Sequence, residues 1–406
     1  MRRTLVAVVA LALLVPAAAG PATAGGVVQA AGDAPVSQQG GVDCSFPVSV
    51  TDATGQTVTV QQEPDRAVAL QASAAQTMWE VGARGKVVGM PVRPYTAYLN
   101  GSTERTGVLA EDGSVVQEQV VALEPDLVLA PNALLAPNET VESLRQSGLT
   151  VYHFRQANSL EYVYEKTRTT GLLVGEYNNA SRRAAEMEAT VEAVRDAVAD
   201  EENPRVLYLL GPSGFAAGSN TFIGELVAAA GGNNVAGELE GGYSVVSGET
   251  VVAEDPEWIV VPEGRELPKT DAINGTTAVQ EGQVLRVNDD FLNQPGPRNT
   301  EPLKAMAQAF HPEAYAAANV ENPELPSYPT CEADSGTPTD AGGDGGTGTA
   351  TATATASDAT AGDDTGPDGT DEPATTPGAG SPGYTVVTAL VALLSVLGAG
   401  ALRGQD

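Results

Sequence analysis

The stretch from Ser159 to about Asp200 reads as helix almost without interruption, and it separates two regions where strand and helix patterns alternate. Ser159 is an N-cap candidate, with Tyr162, Val163 and Tyr164 just behind it. Ala180 to Val198 sets Arg/Glu-rich faces beside Ala, Met and Val, and a break is expected near Gly175. About 40 residues of helix would cover about 60 Å, longer than one lobe, so the stretch reads as a spacer joining two bodies.

Before it, Val48 to Val60 alternates around a Gly-containing turn and reads as a hairpin. Ala67–Leu70, Val87–Met90, Asp126–Ala130 and Thr150–Phe154 read as strands, with helices over 74–81, 115–123 and 141–146. After it, strands are expected at 205–210, 258–261 and 283–287, with helices at 221–230, 249–253 and 300–310. The second region echoes the first at an acidic-Pro corner. Glu118 lies seven positions before Pro125-Asp-Leu-Val-Leu, and Glu249 seven before Pro256-Glu-Trp-Ile-Val. The expected fold class is α/β, with two parallel-rich lobes joined by a single long helix. Nearly 290 positions between Cys44 and Cys331 suit two cores better than one.

Both ends carry their own signals. Arg2 and Arg3 precede an apolar run from Leu5 to about Ala19, then Ala22-Thr23-Ala24, the pattern of a secretory signal peptide. An uncleaved anchor helix is the alternative, although the run is short for one. From about Glu332 to Ser381 the chain is Thr, Ala, Gly, Asp and Pro with no Lys, Arg or aromatic residue, a disordered, solvated stalk. Thr385 to Leu402 is apolar and followed by Arg403, reading as a membrane segment of about 27 Å. The chain thus divides into a signal peptide (1–24), a flexible segment (25–43), an N-terminal lobe (44–157), a connecting helix (158–202), a C-terminal lobe (203–331), a stalk (332–381) and a C-terminal anchor or sorting tail (382–406).

Composition excludes several functions. Against 52 acidic residues stand 21 basic ones, a net charge of -31, which argues against nucleic acid. An acidic surface of this kind suits a protein kept soluble in very high salt. Two histidines, His153 and His311, are too few for a naked divalent ion, and no metal site or cofactor is expected. Gly-x-Ser-x-Gly, Walker and HExxH patterns are absent, so no enzyme is expected. Cys44 and Cys331 flank the globular region; they form a disulfide in an oxidising exterior or remain two free thiols. Asn100, Asn138, Asn179 and Asn274 head glycosylation sequons.

Arg66-Ala-Val-Ala-Leu, Gly85-Lys-Val-Val-Gly, Val120-Val-Ala-Leu-Glu-Pro-Asp-Leu-Val, Ile223-Gly-Glu-Leu-Val-Ala-Ala-Ala-Gly-Gly-Asn-Asn-Val and Gly296-Pro-Arg stand in one order. Together they resemble the helical-backbone class of ABC-importer solute-binding proteins, over about residues 46 to 315. That class takes vitamin B12-type corrinoids, ferric siderophores or haem. The resemblance implies two α/β lobes joined by a long helix, delivery of a corrinoid or ferric-siderophore ligand to permease subunits, and a monomer. It also implies that Glu118 and Glu249, one per lobe, meet arginines on the permease; the alternative is two ordinary surface glutamates. Tyr95, Tyr98, Phe215, Tyr243 and Arg298 fall in loops after strands and are the ligand-contact candidates. Trp79 and Trp258 read as core. The tail resembles haloarchaeal sorting tails, with Tyr384 where those have Phe. This implies an exported chain held by its C-terminus at the outer membrane face. A stalked envelope structural protein is the reading from another class.

Overall fold

The computed structural model describes residues 41–132, 137–239 and 242–332. The signal peptide, nearly all of the expected flexible segment, the stalk beyond Glu332 and the tail at 382–406 lie outside the described residues. Among the described residues no helix is long and apolar enough to cross a membrane.

The chain opens with the antiparallel hairpin β1 (Val48–Thr51) and β2 (Thr57–Val60). Five parallel strands follow: β3 (Ala67–Ala69), β4 (Val87–Met90), β5 (Thr106–Gly107), β6 (Leu127–Ala130) and β7 (Val151–His153), in the order β5-β4-β3-β6-β7. Helices α1 (Ala72–Glu80), α2 (Gln117–Ala122) and α3 (Pro137–Gln146) connect them. Alternation along each strand sorts side chains between two cores. Ala67, Ala69, Leu127 and Leu129 pack with Ala74, Ala75 and Met78 of α1. Val68, Val128 and Ala130 face the other way, against Val120 of α2 and Val141 and Leu144 of α3.

The expected single connecting helix is two helices, α4 (Leu160–Leu173) and α5 (Tyr177–Val198). The break falls where the sequence placed it. Gly175 sits at φ 77°, a left-handed position that glycine adopts without strain, and a Cβ there would lie 2.7 Å from Glu63 Cδ. The helices run antiparallel, with Arg168 Nη2 2.6 Å from Glu188 Oε1. Near the turn, Gly171 lets them approach so closely that a Cβ on it would be 2.2 Å from that of Ala180. Folding back halves the reach: the 22 residues of α5 span about 33 Å. Ser159 caps α4, accepting the Tyr162 N–H at 3.2 Å.

The second lobe contains β8 (Arg205–Tyr208), β9 (Phe215–Ala217), α6 (Phe222–Ala229), β10 (Asn233–Asn234) and β11 (Tyr243–Val245). It continues through α7 (Gly248–Glu254), β12 (Trp258–Pro262), α8 (Asp271–Asn274), α9 (Thr277–Gln280), β13 (Val284–Val287), α10 (Asp289–Leu292), α11 (Thr300–Phe310) and α12 (Pro312–Ala317). Strands β10-β8-β12-β13 form a parallel sheet, and β9 pairs antiparallel with β11. Val206, Tyr208 and Val260 pack towards α4, α5, α6 and α11, whereas Leu207, Leu209 and Ile259 face α7, α8 and α9. The architecture is mixed α/β with two parallel sheets.

Cys44 and Cys331 are joined in a disulfide, with Cα atoms 5.5 Å apart. Backbone pairing lies beside it, because the Val42 N–H donates to the Thr330 carbonyl at 2.9 Å. The Cys331 N–H donates to Asn178 Oδ1 at 2.8 Å, tying the clamp to the start of α5. A crosslink across 287 positions removes about 6 kcal/mol of unfolded-chain entropy in the loop-closure picture. Cys44→Ser with Cys331→Ser should therefore lower the unfolding free energy by about 2–5 kcal/mol, read as a lower denaturant midpoint. A midpoint equal to that of the oxidised parent would show that the clamp adds nothing.

Candidate functional site

In open parallel sheets, ligands bind beyond the carboxyl ends of the strands. Here the segment after β4 meets the segment after β13. The Tyr98 hydroxyl donates to Gln294 Oε1 at 3.0 Å and accepts from Gln76 Nε2 at 2.8 Å. Gln294 Nε2 donates to the Tyr95 carbonyl at 2.9 Å. Phe291 packs edge-on to Tyr98, with ring centroids 5.4 Å apart. Burial holds the Tyr98 hydroxyl up to about 12, so it stays protonated and able to donate. Burial also raises the Tyr95 hydroxyl.

Arg298 joins the same cluster. Its guanidinium lies 5.3 Å from the Tyr98 ring centre and 5.2 Å from that of Phe291. Its Nε donates to Glu80 Oε1 at 2.7 Å, while Arg183 of α5 holds the other Glu80 oxygen at 3.2 Å. The charge of Arg298 is thus matched within the protein, and Glu80 links α1, α5 and the second lobe. Asp290 stands beside this cluster; burial, and then the neighbouring Asp289, push its carboxyl up to about 6.

Phe215 and Tyr243 form a separate pair on β9 and β11, stacked with centroids 6.3 Å apart and planes 8° from parallel. Both rings are half-buried. The structure therefore gathers Tyr95, Tyr98 and Arg298 at a junction between lobes and sets Phe215 and Tyr243 on the second lobe. The residues that sequence reasoning missed are Gln76, Phe291, Gln294 and Lys166. Gln76 left a readable signal: it is a polar side chain inside the apolar run Ala72-Ser-Ala-Ala-Gln-Thr-Met.

Glu118 and Glu249 are exposed, each in the first turn of a short helix, α2 and α7. Their surroundings match in detail. Both helices end at a left-handed acidic residue before proline, Glu124 at φ 45° and Asp255 at φ 37°. After the proline, Asp126 accepts the Arg66 N–H at 2.9 Å, and Glu257 accepts the Arg205 N–H at 2.8 Å. The Arg66 side chain donates to the Leu123 carbonyl at 2.7 Å, and Arg205 Nε to the Glu254 carbonyl at 2.9 Å. An arginine thus closes the carboxyl end of each helix, where the helix dipole favours a cation. Glu118 and Glu249 stand at equivalent places on the two lobes.

The remaining candidates are quickly placed. The sequon residues Asn100, Asn138, Asn179 and Asn274 are all exposed. His153 and His311 are buried against the carbonyls of Ala130 and Gly231. Trp79 and Trp258 are partly buried at the edges of the two cores. An open hollow of about 880 Å³ lies between α5 and Pro323–Pro326, lined by none of the ligand-contact candidates.

Lys166 of α4 is the buried cation of the junction. Its Nζ donates to Ser73 Oγ of α1 at 3.1 Å and to the Pro295 carbonyl at 3.0 Å, and lies 5.8 Å from the Phe154 ring centre. Burial without a partner carboxylate brings its ammonium down to about 7. The folded pKa is depressed below the unfolded value of 10.5, so the unfolded chain binds the proton more tightly across that window. Stability should rise as pH increases from about 7 towards 10.5. Lys166→Met should flatten that rise, measured as the thermal midpoint at the two ends of the window; an equal rise in the variant would sink this assignment.

Comparison with known proteins places the fold in a family. The periplasmic binding protein family model matches residues 67–290. A cobalamin-binding protein of Halobacterium salinarum is 40% identical over 283 residues, covering 66% of this chain and 75% of that protein. An uncharacterized ABC transporter substrate-binding lipoprotein of Bacillus subtilis is 26% identical over 279 residues, covering 66% and 87%. Among solved structures, a periplasmic heme-binding protein from Roseiflexus sp. aligns with TM-score 0.54 at 26% identity, over 62% of this chain and 99% of that one. The periplasmic vitamin B12 binding protein of Vibrio cholerae aligns with TM-score 0.54 at 24% identity, over 61% and 97%, which shows the shared fold. The matched region runs through both sheets and the helix pair between them, and the chain belongs to the periplasmic binding protein family.

Proposed function

We propose that this chain is the solute-binding protein of an ABC importer, taking a corrinoid beyond the carboxyl edges of its two sheets and handing it to the permease. The observation that carries this reading is the 40% identity to a cobalamin-binding protein over 283 residues, 66% of this chain. The chemistry of the site is compatible with it. A corrin macrocycle has broad apolar faces and a rim of amides, and large ligands of that kind are held by aromatic faces with a few placed polar groups. The stacked Phe215–Tyr243 pair and the rings of Tyr98 and Phe291 supply such faces. Haem is the second reading, favoured by the 26% identity to a periplasmic heme-binding protein. A ferric siderophore is the third member of the same class.

In this reading the chain works outside the cell as a monomer, exported by residues 1–24 and tethered by 382–406. The permease is engaged through Glu118 and Glu249. Two exposed carboxylates at equivalent places suit a partner with two-fold related arginines, because a charge-assisted contact on each lobe fixes orientation.

Titration of residues 41–332 in high salt with cyanocobalamin, haem and ferric hydroxamates should give saturable binding of cyanocobalamin and weaker binding of the others. Phe215→Ala with Tyr243→Ala should weaken it about tenfold or more, since an aromatic contact contributes about 0.5–1.5 kcal/mol beyond its area. No binding of any of the three would overturn the proposal. Separately, Glu118→Ala with Glu249→Ala should abolish uptake in cells while leaving ligand affinity unchanged. Loss of affinity in that variant would contradict a docking role.

A further inference from the structure

Few large apolar side chains are exposed among the described residues: Val121, Val245, Val252 and Leu325. Two of them occupy the same place in the two lobes. Glu118-Gln-Val-Val-Ala-Leu-Glu-Pro-Asp126 aligns without a gap on Glu249-Thr-Val-Val-Ala-Glu-Asp-Pro-Glu257. In each, the first valine is buried, Val120 at 0% and Val251 at 3% exposure. The second points outward, Val121 at 37% and Val252 at 64%. The first valine seats the helix on its sheet; the second has no such use in the folded chain.

Residues three apart on a helix share a face, so each outward valine lies one turn along from the candidate docking glutamate, Val121 beside Glu118 and Val252 beside Glu249. The matched arginine locks at Arg66 and Arg205 hold both helices in the same register. We infer that each lobe presents a two-part docking knob, a carboxylate and an apolar methyl pair. The partner it fits is a two-fold symmetric membrane subunit pair that offers, at each of two equivalent points, a cation beside an apolar surface. This rests on the docking reading above and extends it. The division of labour is physical. At about 1 M salt the screening length falls to about 3 Å, which weakens an exposed ion pair, whereas salts excluded from protein surfaces strengthen apolar burial. The valines would then carry association where the glutamates cannot.

The test measures binding of the full chain to its own importer complex in nanodiscs, at about 0.1 M and about 2 M KCl. Val121→Ser with Val252→Ser should weaken association about tenfold or more, with the larger loss at high salt. Glu118→Gln with Glu249→Gln should weaken it chiefly at low salt. Val121→Leu with Val252→Leu should bind as the parent does, and all three variants should melt at the parent temperature. If the glutamate variant loses association and the serine variant stays within twofold of the parent, the valine proposal alone falls. If neither loses association, the docking reading falls with it. If sedimentation shows a parent dimer that the serine variant dissociates, the patch serves a second copy of this chain and the proposal is overturned.

Discussion

The helix pair α4 and α5 divides its apolar residues between two cores, and the placement of every candidate site depends on that division. Leu173, Val174 and Ala180 near the turn belong to the core of the first lobe. Leu160, Val163, Met187, Val191 and Val194, away from the turn, belong to that of the second. Neither core can be complete without the pair, so the lobes are held at a set separation by burial on both sides. Lys86 donates to the Val174 carbonyl at 2.7 Å, and Glu225 accepts the Leu160 N–H at 2.7 Å, so each end of α4 is fastened to a different lobe. A joint made of two packed helices is stiff, and lobe movement about it should be small in comparison with a hinge of free loops.

The junction beyond the strand ends is polar but closely satisfied. Gln76, Tyr98 and Gln294 exchange hydrogen bonds across it, and Glu80 is shared by Arg183 and Arg298. Buried groups so arranged specify one relative placement of the loops, because breaking any one leaves a desolvated donor or acceptor. Lys166 is the exception in kind. It donates two hydrogen bonds, both to neutral partners, and is buried with no counter-charge, and its depressed pKa follows from that burial.

Much of this was legible in the chain. The hairpin at 48–60, β4 at Val87–Met90 and α11 at Thr300–Phe310 fall where the periodicity put them, since their apolar spacing is local and unambiguous. The break at Gly175 was legible too, but its consequence was not. A glycine announces that a helix stops and leaves open whether the chain continues onward or turns back; the reversal depends on Gly171 meeting Ala180. The short strands β9 and β11 were missed because each is stabilised by pairing across a long sequence interval, which no local pattern reports. Tyr95, Tyr98 and Arg298 were chosen as ligand-contact candidates for their side-chain type and their place in loops after strands. Neither gave a sign that all three would be tied to Gln76, Gln294 and Glu80.

The sequence by itself determined the α/β class with parallel strands on either side of a helical stretch, and the matched spacing of Glu118 and Glu249 before their prolines, because these rest on periodicity and spacing along one strand or helix at a time. Only the tertiary structure decided that the connector folds back, that Cys44 meets Cys331, and that of two adjacent valines in each repeat one is buried and one is exposed. The reason is physical. Periodicity records which side of an element is apolar, but which surface covers that side, and which side chain is left uncovered, depends on residues far away in the chain.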